Sequence, residues 1–140
     1  MVATKNGRNG MKRVIIVEDD MLLALVEAKM ITKLGYQVIA TAASGEEGYR
    51  LIQELKPSII VMDNRLEGEM DGLDVVERLR NEGNKTPVIF ISGESSDRQQ
   101  VIADELECVD YLVKPILIEG LCNALERASD VEKELSPNVA

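Results

Sequence analysis

The segment Val14-Ile15-Ile16-Val17-Glu18-Asp19-Asp20 passes in one step from four β-branched apolar residues to three acids. A short run of β-branched residues with no polar alternation is a strand covered on both faces, as in a parallel sheet. Reading outward from it, residues 1–11 are polar and contain glycine, and predict a flexible tail. On the other side the chain alternates with little spare length. Apolar residues at Leu22, Leu23, Val26, Met30 and Leu34 predict a helix over 21–34 with that inward stripe, and Gly35 closes it. A second strand is expected over 36–40. Ser44-Gly45-Glu46-Glu47 has the spacing of a capping box, and opens a helix with Leu51, Ile52 and Leu55 inward that Pro57 ends. The third strand is expected over 58–62. Asp71-Gly72-Leu73-Asp74 opens a helix with Leu73, Val76 and Leu79 inward. A fourth strand, 88–91, precedes a helix opened by Ser96 and Gln99 with Val101, Ile102 and Leu106 on its inner face. A fifth strand, 109–113, precedes a last helix over 117–129, with Ile118, Leu121 and Leu125 inward and room to run on to Leu135.

This is (βα)5, an α/β class chain. Helical crossovers imply parallel strands, and their right-handedness puts helices on both faces of the sheet. Five units cannot close an eight-stranded barrel, so an open, doubly wound five-stranded sheet is expected.

Composition narrows the function. The 140 residues carry 16 Lys and Arg against 25 Asp and Glu, a formal net charge of −9. That balance argues against direct nucleic-acid binding, which needs a basic footprint, and against an anionic membrane surface. No apolar run approaches the ~18 residues of a membrane span, and residues 1–10 lack the apolar stretch of a signal peptide, so the expected compartment is the cytoplasm. Cys108 and Cys122 make neither a disulfide framework nor a metal spacing, and are expected reduced and partly buried. The chain has no histidine, which excludes a His general base, a Ser-His-Asp triad and a phosphohistidine donor within this chain.

In open α/β sheets, ligands bind beyond the carboxyl ends of the strands. Glu18, Asp19 and Asp20 follow the first strand, Asp63 the third, Ser92 the fourth and Lys114 the fifth. Asp20 is expected to cap the helix after it. Clustered carboxylates repel one another unless a hard divalent ion with oxygen ligands sits among them; a structural salt bridge to Lys114 is the plainer alternative. A divalent ion beside an ammonium and a hydroxyl suits a phosphoryl group. No GxxxxGK[ST] cradle is present, so a covalent phosphoryl on Asp63 fits better than a bound nucleotide.

Four motifs, Val17-Glu18-Asp19-Asp20, Val61-Met62-Asp63, Phe90-Ile91-Ser92-Gly93 and Tyr111-Leu112-Val113-Lys114-Pro115, stand in this order at successive strand ends. In this the chain resembles the receiver domains of bacterial two-component response regulators, the chemotaxis-regulator-like family. The resemblance implies a flavodoxin-like strand order 2-1-3-4-5, a receiver domain over 12–129, and a helix extension or linker over 130–140. It implies Asp63 as phosphoacceptor, with Mg2+ held by Glu18, Asp19, Asp63 and the backbone carbonyl of Arg65. Ser92 and Lys114 would contact the phosphoryl oxygens, Tyr111 falls on an aromatic switch position, and the Lys114–Pro115 peptide would be cis. The partners implied are a sensor histidine kinase or histidine phosphotransfer protein, and an output protein or appended effector domain. Arg65 and Glu94, two residues beyond Asp63 and Ser92, are expected at the mouth of the site, where they would modulate the phosphoryl lifetime. One departure stands out. Glu67 occupies the place, four residues after the phosphoacceptor, where the family usually has proline, and the Asp71-Gly72 pair comes one residue late.

Residues 94–134 hold eleven acids against four bases. Solubility explains this simply; a basic output partner is the functional alternative. Two other classes fit the sequence less well. An Asp-nucleophile phosphatase wants an acid two residues after its nucleophile, where Arg65 stands. A flavin carrier wants aromatics, and the chain has no Trp, one Phe and three Tyr.

Overall fold

The computed structural model describes residues 11–135. Most of the expected tail, and residues 136–140 with Pro137, lie outside the described residues. The chain order is β1 (Arg13–Val17), α1 (Met21–Lys33), β2 (Gln37–Ala42), α2 (Gly45–Leu55), β3 (Ile59–Asp63), α3 (Gly72–Asn81), β4 (Val88–Ser92), α4 (Asp97–Glu105), β5 (Asp110–Val113) and α5 (Ile118–Leu135). The five strands form one parallel sheet in the order β2-β1-β3-β4-β5. The chain builds outward from β1 in one direction through β2, then crosses back and builds in the other from β3. That reversal puts the carboxyl ends of β1 and β3 at the switch point where ligands enter such sheets.

The period of a strand divides its side chains between two cores. Ile15 and Val17 of β1 join Ile60, Met62, Val88 and Phe90 on the face covered by α2, α3 and α4. Val14 and Ile16 join Ile59, Val61, Ile89 and Ile91 on the face covered by α1 and α5. All of β3 and β4 is buried, including the polar last residues Asp63 and Ser92.

Four helix starts follow from side-chain caps. Asp20 accepts from the Leu22 and Leu23 amides, Ser44 from Glu47, Asp71 from Asp74 and Ser96 from Gln99. Each satisfies a backbone donor that a helix N-terminus leaves free. A full capping box forms at Asp71–Asp74. At Ser44 the Glu47 side chain instead accepts from the Ala43 amide, one residue earlier.

Three inner helix faces differ from expectation. In α1 Leu22 and Val26 are exposed, and the buried stripe is Ala24, Glu27 and Ile31. Residues 21–26 are apolar without a break, so spacing alone selects no face. In α4 Val101 is 55 % exposed and Ala103 takes the buried position, again within a continuous apolar triplet. In α5 Ile118 is 48 % exposed, and Leu121, Ala124, Leu125 and Ala128 are buried. The helix runs on from 129 through Leu135, the extension for which the sequence left room. The boundaries shift modestly elsewhere. β2 reaches Ala42, and Asp63 and Ser92 are the last residues of their strands rather than the first of their loops.

Candidate functional site

Sheet hydrogen bonds fasten each strand end that carries a polar side chain. The Glu18 amide donates to Ala42 O (2.8 Å), the Asn64 amide to Ile91 O (3.0 Å) and the Lys114 amide to Ser92 O (2.8 Å). The side chains therefore issue from a rigid edge. Glu18, Asp19, Asp63, Arg65, Ser92, Glu94 and Lys114 line one cleft of about 300 Å³. Glu18, Asp63 and Ser92 are almost wholly buried. Asp20 also borders the cleft, but as expected its carboxylate caps α1.

Lys114 Nζ lies 3.1 Å from Asp63 Oδ1 and 3.2 Å from Glu18 Oε1. One oxygen from each of Glu18, Asp19 and Asp63 lies within 4.8 Å of the others. Three acids thus share one ammonium, a cluster short of positive charge. Its donors are hard oxygens, the kind Mg2+ takes. The residues present fit that ion.

The protonation tendencies carry the same strain. Burial raises the Glu18 carboxyl above its ordinary value, and the charge of Asp63 adds to this against the opposing pull of the Asp20 amide and Lys114. Burial also raises Asp63, with Asp19 adding to the rise and Lys114 opposing it. At Lys114 burial works downward, but its bonds and charge contacts with Asp63 and Glu18 outweigh it, and the net shift is upward. All three shifts come from the same crowding of charge in a poorly solvated place.

The Ser92 and Tyr111 hydroxyls bond to groups other than the three acids. Phe90 and Tyr111 stack with centroids 5.6 Å apart. The Ser92 hydroxyl reaches Glu94 O (2.9 Å) and Gln99 Oε1 (3.0 Å), and the Tyr111 hydroxyl reaches the same two acceptors at 3.2 and 3.1 Å. Arg65 and Glu94 are both exposed at the cleft, and their side chains form no ion pair with each other. The Lys114–Pro115 peptide is cis.

The long loop after Asp63 is tied down without the usual proline. Glu46, in the first turn of α2, accepts from the Glu69 amide (3.0 Å), Ser44 bridges to Glu67, and Gly68 takes φ +91°. Backbone donors, its own amide first and then that of Glu69, hold the Glu46 carboxyl below its ordinary value. At the far end of the loop the Gly72 amide donates to Asn64 O (2.9 Å).

Two residues at the site were not singled out from the sequence. Glu27 is buried on α1, and among the described residues no donor reaches either of its carboxylate oxygens. Its signal was the i, i+3, i+7 stripe Ala24, Glu27, Ile31, masked by the apolar run beside it. Gln99 reads as the partner of the Ser96 cap, but its side chain turns inward to Ser92 and Tyr111.

The model of the response regulator receiver domain matches residues 14–126. The chain belongs to that family. Among relatives of this receiver, the positive alginate biosynthesis regulatory protein of Pseudomonas aeruginosa is 40 % identical over 118 residues, 83 % of this chain and 46 % of that protein. The chemotaxis protein CheY of Thermotoga maritima is 30 % identical over 118 residues, 84 % of this chain and 98 % of that one. A solved receiver domain from a modulated diguanylate cyclase of Desulfovibrio desulfuricans superposes with a TM-score of 0.79 at 31 % identity, covering 89 % of this chain and 98 % of that one. The receiver spans about half the length of the first curated relatives it matches. Receivers of this family work in two-component signalling, and the sheet order here is theirs.

Proposed function

We propose that this receiver accepts a phosphoryl group on Asp63 from a phosphohistidine, borne by a sensor histidine kinase or a histidine phosphotransfer protein, and later loses it to water. The observation that carries the reading is the placing of Asp63 at the switch point, 3.1 Å from Lys114 and beside Glu18 and Asp19. In the transfer, Asp63 supplies an oxygen to phosphorus while the P–N bond of the donor breaks. Lys114 pairs with one phosphoryl oxygen and Ser92 donates a hydrogen bond to another, so the chain contributes position and charge. Glu18, Asp19, Asp63 and the Arg65 carbonyl would hold Mg2+, which when bound neutralises charge on the transferred oxygens. The chain is a phosphoacceptor that assists only its own phosphorylation and dephosphorylation, in the cytoplasm.

Phosphorylation adds about 1.5–2 negative charges and three acceptor oxygens, enough to draw Ser92 inward and remodel the surface made by α4, β5 and α5. The output is a protein contact, or an effector domain appended after residue 140. Acetyl phosphate with Mg2+ tests the reading. A mass gain of one phosphoryl, dependent on Mg2+ and lost in Asp63→Asn, is expected. Steady turnover of small phosphate esters would instead favour an Asp-nucleophile phosphatase.

A further inference from the structure

Two hydroxyls and two carbonyl acceptors form a closed square at the edge of the cleft: Ser92, Tyr111, Glu94 O and Gln99 Oε1. Each hydroxyl has one hydrogen, so at any moment the square holds two donated bonds, shared among four contacts of 2.9 to 3.2 Å. Gln99 Oε1 has two lone pairs and can accept from both hydroxyls at once. Ser92 has its partners on the α4 side: its oxygen also accepts from the Glu94 amide at 3.2 Å. Gln99 belongs to the first turn of α4, so the square joins the end of β4, the first turn of α4 and the middle of β5.

We propose that Gln99 is a positioning residue: it holds the Ser92 hydroxyl in the unphosphorylated arrangement and reports the loss of that hydrogen bond to Tyr111. This rests on the reading of Asp63 as phosphoacceptor. When Ser92 turns its proton to a phosphoryl oxygen, its donation within the square ends, and Gln99 Oε1 keeps only Tyr111. The Tyr111 hydroxyl then has both acceptors free, so its ring position and the first turn of α4 become coupled to the state of Asp63. A latch of this kind stabilises the resting state. Removing it raises the fraction of chain ready to bind a phosphoryl group, and the apparent affinity rises in proportion. With a net worth of about one hydrogen bond, the gain is about 5-fold.

The experiment titrates beryllofluoride, a phosphoryl mimic, at fixed Mg2+ into wild type, Gln99→Met, Gln99→Ala and Asp63→Asn. Amide and tyrosine-ring NMR follow binding. Gln99→Met keeps length and helix compatibility while removing the acceptor, and Gln99→Ala guards against a misfit of the thioether. The expected result is half-saturation at about 5-fold lower beryllofluoride for both Gln99 variants. The unliganded Tyr111 ring signal should also move part-way toward its bound position, a change that mere loss of stability would not produce. Half-saturation within twofold of wild type with an unmoved Tyr111 signal overturns the latch, and so does weaker binding. If wild type itself fails to respond, or Asp63→Asn responds equally, the phosphoacceptor reading falls and the latch falls with it. A responsive wild type with unresponsive Gln99 variants removes the latch alone.

Discussion

At Glu27 a carboxyl lies buried beside Glu18 with no donor at either oxygen among the described residues. Glu18 when ionised can only accept, so the pair is comfortable only with a proton between them. Burial, and after it the charge of Glu18, pushes Glu27 up to about 8. The folded chain thus holds this proton more tightly than the unfolded chain, where the ordinary value is 4.5. The stability this supplies is complete below pH ~4.5 and is lost as pH rises through ~8, at most roughly 5 kcal/mol at 1.36 per pH unit. In Mg2+-free buffer the melting temperature should fall between about pH 5.5 and 8.5, and Glu27→Gln, whose amide can donate to Glu18, should flatten most of the fall. The raised Asp63 and Glu18 carboxyls act in the same direction and leave a residual slope. An equally steep slope in the variant would dismiss Glu27 as the source. For Arg65 and Glu94, exposed at the cleft, the proposed effect is on rate rather than on stability. Exposed charges of this kind are worth about 0.2–1 kcal/mol, a factor of about 1.4 to 5 in a rate. Dephosphorylation half-lives of wild type, Arg65→Ala, Glu94→Ala and the double variant should show at least one single change beyond twofold, and, because the two side chains do not pair, effects that add in the double variant. Four equal half-lives would reduce both residues to surface charge.

At the scale of elements, the join between β3 and α3 depends on a glycine. A Cβ on Gly72 would sit 2.3 Å from Asp63 O and 2.9 Å from Asn64 Cα, both backbone atoms that cannot swing aside. Gly72→Ala should cost about 1–3 kcal/mol of stability, the scale of an overpacked core, and slow phosphorylation by displacing Asp63. Gly120 in α5 has open space around its Cβ position. Gly120→Ala should be neutral or stabilising by up to about 1 kcal/mol, since alanine is the better helix former. Thermal denaturation of the two variants checks this; equal effects would mean that the close approach at Gly72 relaxes freely. The loop between these elements shows the same logic. Glu46 binds the Glu69 amide and Gly68 turns with positive φ, giving the long loop an anchor on α2.

For the molecule as a whole, the proposed Mg2+ site in the acid cluster would link folding to a divalent cation. An ion that binds only the folded chain stabilises it by mass action, by about 2.7 kcal/mol at a hundredfold excess over its dissociation constant. Millimolar Mg2+ should therefore raise the melting temperature, and Asp19→Asn should remove most of the rise; a melting point indifferent to Mg2+ would exclude a shared ion. The (βα)5 order, the parallel sheet and the strand ends bearing Glu18, Asp63, Ser92 and Lys114 were all legible in the chain. Period and punctuation encode them locally: uninterrupted β-branched runs, side-chain caps at Asp20, Ser44, Asp71 and Ser96, and the polar residue that ends each run. The strand order and the receiver likeness came from four motifs in sequence rather than from periodicity. The inner faces of α1 and α4 were not legible, because an unbroken run of apolar residues, 21–26 in α1 and 101–103 in α4, selects no face until a sheet is laid against it. For the same reason Glu27 was hidden: its burial is a property of the sheet beneath α1. The Ser96–Gln99 cap forms as its spacing predicts, through the Gln99 amide; the inward turn of the Gln99 side chain was not legible, because only the approach of β5, bringing Tyr111 beside Ser92, gives it a pair of donors. Local order writes the elements and their ends; which face is buried and which partner a polar side chain takes are decided by contacts between residues far apart in the chain.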